Sequence, residues 1–131
     1  MTPHDLFEAA KAASEKAQCT YSDFPVGAAI LAENGQLFTG ANIEVISYPE
    51  GWCAETTAIS HMVMAGQVRI LEVAVYAPKK PLITPCGGCR QRLAEFGAND
   101  PILHLCDEMG VRESMPLSKL FPRGFEAEVL R

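Results

Sequence analysis

Apolar residues recur along this chain in blocks whose spacing alternates between helical and extended. Leu6, Ala9, Ala10, Ala13 and Ala17 follow at three- and four-residue steps, the repeat of one helix face. Thr2-Pro3 ahead of them supplies a capping hydroxyl and a proline at the first helical position. The spacing predicts a helix over about residues 3–18. Val26 to Leu31 and Leu37 to Ile43 read as strands. Asn34-Gly35 between them tolerates the positive φ angles of a tight turn, so the two strands pair antiparallel. A loop through Tyr48-Pro49-Glu50-Gly51 follows.

Ala58, Ile59, Met62, Val63 and Ala65 give a broad apolar face to a second helix, from about Cys53 to Ala65, with Gly66 as its stop. Ile70 to Ala77 is almost continuously apolar, as expected of a strand buried on both faces. A third helix opens at Pro85-Cys86 and runs to about Phe96. Ile102 to Cys106 is a short strand, with a further candidate strand over Val111–Ser114. A short helix over Leu117–Phe121 precedes a Pro-Arg-Gly-Phe tail. This order predicts one α/β domain over residues 1–131, with a central mixed sheet and helices on its faces.

Composition narrows the function. Hydrophobic residues make up 48% and charged residues 21% of the 131, the balance of a globular protein. No apolar run reaches the ~18 residues of a membrane helix. The first residues hold neither a basic stretch nor an apolar core of a signal peptide, so a cytoplasmic location is expected. The net charge of -5 disfavours a nucleic-acid partner, since polyanion binders are usually basic. Lys79, Lys80, Arg90 and Arg92 read as ordinary solvated surface. Five cysteines without a secretion signal do not suggest a disulfide framework; closely spaced cysteines there more often mean metal or catalysis.

Two segments carry that chemistry: Cys53-Ala54-Glu55 and Pro85-Cys86-Gly87-Gly88-Cys89. Each stands where a helix is expected to begin. Cys86 and Cys89 share one face of a first turn. Unpaired N–H groups and partial positive charge at a helix start favour thiolate. If the two helices start side by side, three thiolates converge, a set that suits zinc and leaves one position open for water. Glu55, two residues past Cys53, is a ready proton shuttle beside it. A structural zinc site would need a fourth ligand. His61 lies eight residues along its helix from Cys53, about 12 Å away, and His104 or Cys106 would need its strand to end at the site. His61, His104, Cys19 and Cys106 are expected to be core or surface residues.

A lone Cys-x-x-Cys is a weak signal. Cys-Ala-Glu followed about thirty residues later by Pro-Cys-x-x-Cys is a strong one, the signature of zinc nucleobase deaminases. With these segments stand Ser22-Asp23-Phe24-Pro25-Val26-Gly27-Ala28-Ala29, Gly40-Ala41-Asn42-Ile43-Glu44, Ser47-Tyr48-Pro49, Arg90-Gln91 and the Leu120–Phe125 tail. Nearly end to end, the chain resembles the short, homotetrameric type of cytidine deaminase.

The resemblance implies a three-layer α-β-α fold around a mixed five-stranded sheet. It implies one Zn²⁺ per chain, held by Cys53, Cys86 and Cys89, with Glu55 as the catalytic proton carrier. Phe24 would pack against the base, with the backbone at Ala54 and Cys86 near the base edge, and Asn42 and Glu44 would bind the sugar hydroxyls. Phe125 and Tyr48 would reach into a neighbouring subunit's site. The implied reaction is hydrolytic deamination of cytidine and deoxycytidine in pyrimidine salvage. A deaminase of the blasticidin type is the close alternative, though such enzymes lack the Asn-Ile-Glu segment. A polynucleotide-editing deaminase and a zinc-stabilised binding module fit less well, the first for its charge and the second because a structural site has no use for Glu55.

Five positions depart from the family's pattern: Val45, Ile46, Glu50, Trp52 and Thr56. The family often carries arginine at the place of Thr56, where it helps neutralise the thiolates. Either Arg90 compensates, or Thr56 offers a single weaker hydrogen bond.

Overall fold

The computed structural model describes residues 1–80, 82–126 and 130. Helix α1 spans Pro3–Ser14. Its start is a capping box: the Thr2 hydroxyl accepts from the Asp5 N–H at 3.1 Å, and the Thr2 N–H donates to the Asp5 carboxylate at 2.8 Å. The helix ends four residues short of the periodic pattern. Gln18 is needed elsewhere: its N–H donates to the Asn42 carbonyl at 2.9 Å and its carbonyl accepts from the Glu44 N–H at 2.7 Å. That pairing pulls the chain away from the helix axis before Ala17 can extend it.

Strands β1 (Gly27–Ala32) and β2 (Leu37–Ala41) form the expected antiparallel hairpin. Gly35 holds φ +90 in its turn, a conformation that costs glycine nothing. Every residue of β1 is buried, because both faces of the sheet are covered. Ala29 and Leu31 pack toward α1. Ala28, Ile30 and Ala32 pack toward helix α2 (Ala54–Met64). Small residues let the helices approach closely. A Cβ on Gly40 would stand 2.5 Å from the Ala58 nitrogen and 2.6 Å from the Ala54 carbonyl oxygen.

Strand β3 (Ile70–Tyr76) pairs antiparallel with β1 and parallel with β4 (Gly97–Asp107). Helix α3 (Gly87–Phe96) makes that parallel crossover. Strand β5 (Gly110–Pro116) pairs antiparallel with β4, and helix α4 covers Leu117–Leu120. The sheet order is β2-β1-β3-β4-β5, a mixed five-stranded sheet between α1 on one face and α2 and α3 on the other. This is the expected three-layer architecture. Two strands exceed the sequence expectation. β4 starts at Gly97 rather than Ile102, because Gly97 pairs with Ile70 before a register break. Polar Asn99 (φ +59) and Asp100 hide that stretch from a hydropathy pattern. β5 lies at the sheet edge, so Arg112, Glu113 and Ser114 stay exposed and give no alternation. Among the described residues, no helix is long and apolar enough to cross a membrane.

Candidate active site

Helices α2 and α3 begin side by side on one face of the sheet. Cys53 is the N-cap of α2 and Cys86 the N-cap of α3, both extended, and neither helix start has a side-chain cap. The N–H groups of both first turns therefore remain available to sulfur. Cys89, one turn into α3, is fully buried beneath them. The three sulfurs lie within 4.8 Å of one another, and the Cys53 and Cys86 sulfurs are 3.8 Å apart. Zinc–thiolate bonds of ~2.3 Å in tetrahedral geometry require sulfurs about 3.8 Å apart. The donor set and its spacing thus fit zinc. Among the described residues no fourth His, Cys, Asp or Glu joins the group.

The protons of this cluster are shared. The Cys53 thiol is held below its ordinary value, chiefly by a hydrogen bond from Cys89, and Cys89 is raised by that same bond and by burial. Thr56 places its hydroxyl oxygen 3.7 Å from the Cys89 sulfur. Arg90 is engaged elsewhere. Its guanidinium donates to the Pro85 carbonyl at 2.8 Å, the Leu120 carbonyl at 2.9 Å and the Thr84 hydroxyl at 2.9 Å. Arg90 therefore clamps the approach to α3 onto the end of α4. The weaker Thr56 contact, of the two alternatives, is the one on the sulfur.

Glu55 is 4% exposed. Burial pushes its carboxyl above the ordinary carboxylate range, opposed by its own backbone amide, by a Cys89 hydrogen bond and by the charge of Arg92. A buried carboxyl whose proton is held more tightly than usual is suited to giving and taking one beside the thiols.

Beside the thiols opens a cleft of about 400 Å³, lined by Ser22, Asn42, Glu44, Tyr48, Trp52 and Cys53 among others. Antiparallel backbone bonds between Ile43 and Trp52, at 2.8 and 2.9 Å, bring Asn42 and Glu44 next to Cys53. Both polar side chains also brace the preceding loop. The Asn42 amide accepts from the Val26 N–H at 2.9 Å and donates to the Phe24 carbonyl at 2.9 Å. Glu44 accepts from the N–H groups of Tyr21 and Ser22, at 3.1 and 3.0 Å, and from the Ser22 hydroxyl. These bonds hold its carboxyl below the ordinary range, the Ser22 hydroxyl contributing most.

Phe24 is half-buried and fixed at its backbone by this loop. Tyr48 is 69% exposed, with its ring edge-on to Tyr21. Phe125 stands apart from the cleft, in a groove with Arg69 and Phe121. Its backbone is gripped at both ends by the Gln91 side-chain amide, at 3.1 and 2.8 Å, leaving the ring 60% exposed. The braces Ser22, Arg90 and Gln91 were not legible as such in the sequence. Their position inside the matched segments was the only signal. The four background residues are held as expected. His61 bonds the Thr39 carbonyl, buried His104 bonds Glu72 and Ser114, Cys106 sits in the core under α1 with its thiol pushed up to about 12 by burial, and Cys19 is partly buried.

Paired helix starts presenting three thiols and a buried carboxyl, on a mixed sheet sandwiched by helices, define a zinc-dependent enzyme of the deaminase class. A family model, the cytidine and deoxycytidylate deaminase zinc-binding region, matches residues 1–105, and the chain belongs to that family. It is 39% identical over 130 residues to a cytidine deaminase of Sporosarcina psychrophila, covering 99% of this chain and 96% of that one. A cytidine deaminase of Halalkalibacterium halodurans is also 39% identical, over 94% of this chain and 93% of its own length. The crystal structure of a Burkholderia pseudomallei cytidine deaminase superposes with a TM-score of 0.90 at 39% identity, covering 95% of this chain and all of that one.

Proposed function

We propose that this chain hydrolyses the 4-amino group of cytidine and deoxycytidine, giving uridine or deoxyuridine and ammonia, as a cytoplasmic enzyme of pyrimidine salvage. The observation that carries this is the buried Glu55 carboxyl beside three convergent thiols, one of which, Cys53, lines the cleft that holds Asn42 and Glu44. Cys53, Cys86 and Cys89 would hold one zinc ion per chain. When bound, zinc supplies an acidified water at neutral pH. Glu55 would carry the two protons that the hydrolysis moves, one delivered to N3 of the pyrimidine and a second, released by the oxygen added at C4, passed to the departing amine as the C4–N bond breaks. Water and the aminopyrimidine are consumed; the carbonyl product and ammonia are released.

The remaining residues bind and orient. Phe24 packs on the base, and the backbone at Ala54 and Cys86 lies along its edge. Asn42 and Glu44 hold sugar hydroxyls: a carboxylate accepts, and an amide both donates and accepts. The Tyr48 and Phe125 rings, both exposed on this chain, serve a neighbouring subunit's site in a homotetramer. Thr56 donates less to the sulfurs than an arginine would, so the thiolates are more electron-rich and turnover is slower than in relatives with arginine there.

The test is ammonia release from cytidine by zinc-assayed protein, with a blasticidin-type nucleoside and free cytosine in parallel. Turnover of cytidine at one zinc per chain is expected. Full zinc content with turnover of the blasticidin-type nucleoside alone would move the assignment to that substrate.

A further inference from the structure

Ser22 sits at a junction that the proposed site leaves unexplained. Its hydroxyl donates to the Glu44 carboxylate and accepts from the Phe24 N–H at 3.1 Å. A hydroxyl has one proton, so committing it to Glu44 turns a lone pair toward Phe24. The other side of the Phe24 residue is held too, its carbonyl accepting from the Asn42 amide at 2.9 Å. Both backbone polar groups of Phe24 therefore run to the two residues assigned to the sugar. Asp23, between Ser22 and Phe24, holds φ +53, a left-handed conformation uncommon outside glycine. The turn thus needs these bonds to keep its shape.

We propose that Ser22 is a positioning residue that couples the sugar subsite to the base platform, so that sugar hydroxyls held at Glu44 fix Phe24 against the pyrimidine. The inference rests on the roles of Glu44, Asn42 and Phe24 proposed above. A carboxylate has about four acceptor sites, and three bonds to Glu44 come from Tyr21 and Ser22, which leaves room for a sugar hydroxyl. A sugar bound there shares the carboxylate with Ser22 and stiffens the relay. Binding energy from the unreacting sugar is then spent on orienting the base, and truncated substrates lose kcat as well as affinity.

The experiment compares kcat and KM for cytidine and 2′,3′-dideoxycytidine in wild type, Ser22→Ala and Ser22→Thr at matched zinc content. Ser22 is exposed, and thermal melting verifies that the variants fold. In wild type, removing the sugar hydroxyls lowers kcat. In Ser22→Ala, kcat/KM for cytidine falls about tenfold or more, the scale of one hydrogen bond to a charged group. The kcat ratio between the two substrates collapses toward one, and Ser22→Thr restores it.

Uridine binding gives a readout independent of turnover. It is followed by the fluorescence of Trp52, the chain's single tryptophan and part of the cleft wall. Ser22→Ala weakens uridine by a similar factor and leaves uracil unchanged. A substrate kcat ratio in Ser22→Ala equal to that of wild type overturns the coupling and leaves the deaminase assignment standing. Wild type that turns over neither nucleoside and does not bind uridine overturns the assignment, and this inference with it.

Discussion

At the scale of single residues, Glu55 carries the sharpest expectations. Glu55→Gln keeps the side-chain shape and removes the proton carrier. Turnover of cytidine should fall by at least ~10²-fold, the usual contribution of a positioned acid–base group, with zinc content and melting of the holoenzyme retained. The same substitution probes the cost of burying the group. Burial raises the Glu55 carboxyl above its ordinary value of 4.5. Between that value and the raised one, the folded chain keeps a proton that the unfolded chain has released. Stability of the zinc-free protein therefore falls as pH rises through this window, with a limiting slope of about 1.4 kcal/mol per pH unit. Melting in chelator at pH values above 4.5 should show this in the difference between the two proteins, wild type losing stability relative to Glu55→Gln as pH rises. The convergence of Cys53, Cys86 and Cys89 was legible in the sequence, because two helix starts with this spacing bring their sulfurs to one place. Ser22, Arg90 and Gln91 were not, since a hydrogen-bond partner 22 to 34 residues away leaves no mark on local pattern.

At the scale of elements, the site depends on how closely α2 lies on the hairpin. Gly40 is the contact. Any Cβ there meets the backbone at Ala54 and Ala58 at 2.5 to 2.6 Å, and backbone cannot swing aside. Gly40→Ala should cost about 1–3 kcal/mol through overpacking. Because Ala54 lies between Cys53 and Glu55, the shift should also loosen zinc and slow turnover. Melting temperature and zinc retention against a chelator measure both; a variant equal to wild type in each would show that α2 is free to slide. The helices with caps and glycine stops, and the Asn-Gly hairpin, were readable because local chemistry fixes them. The early end of α1 and the lengths of β4 and β5 were not. Pairing of Gln18 with Asn42 and Glu44, and of Gly97 with Ile70, is decided by distant chain.

At the scale of the whole molecule, the chain presents apolar side chains that it does not itself cover. Ile46, Tyr48, Trp52 and Phe125 are 77%, 69%, 50% and 60% exposed. Tyr48 and Trp52 line the cleft, with Ile46 two residues before Tyr48 in the chain, and a neighbouring subunit of the proposed tetramer would bury such a surface. Phe125 is different in kind, because α3 holds it by design of its own sequence. Gln91 lies two residues past Cys89, and its amide grips the Phe125 backbone with two hydrogen bonds. The helix that presents two thiols to its own site thereby aims a ring away from it. Gln91→Ala removes both bonds without touching the thiols. The variant should keep one zinc per chain and the mass of a tetramer in sedimentation, while kcat/KM for cytidine falls about tenfold, the scale of two neutral hydrogen bonds. Phe125→Ala should fall at least as far, and adding Gln91→Ala to it should cost little more, because the grip has no purpose once the ring is gone. Additive losses would instead assign Gln91 a role within its own subunit, on the α3 start that carries Cys86 and Cys89.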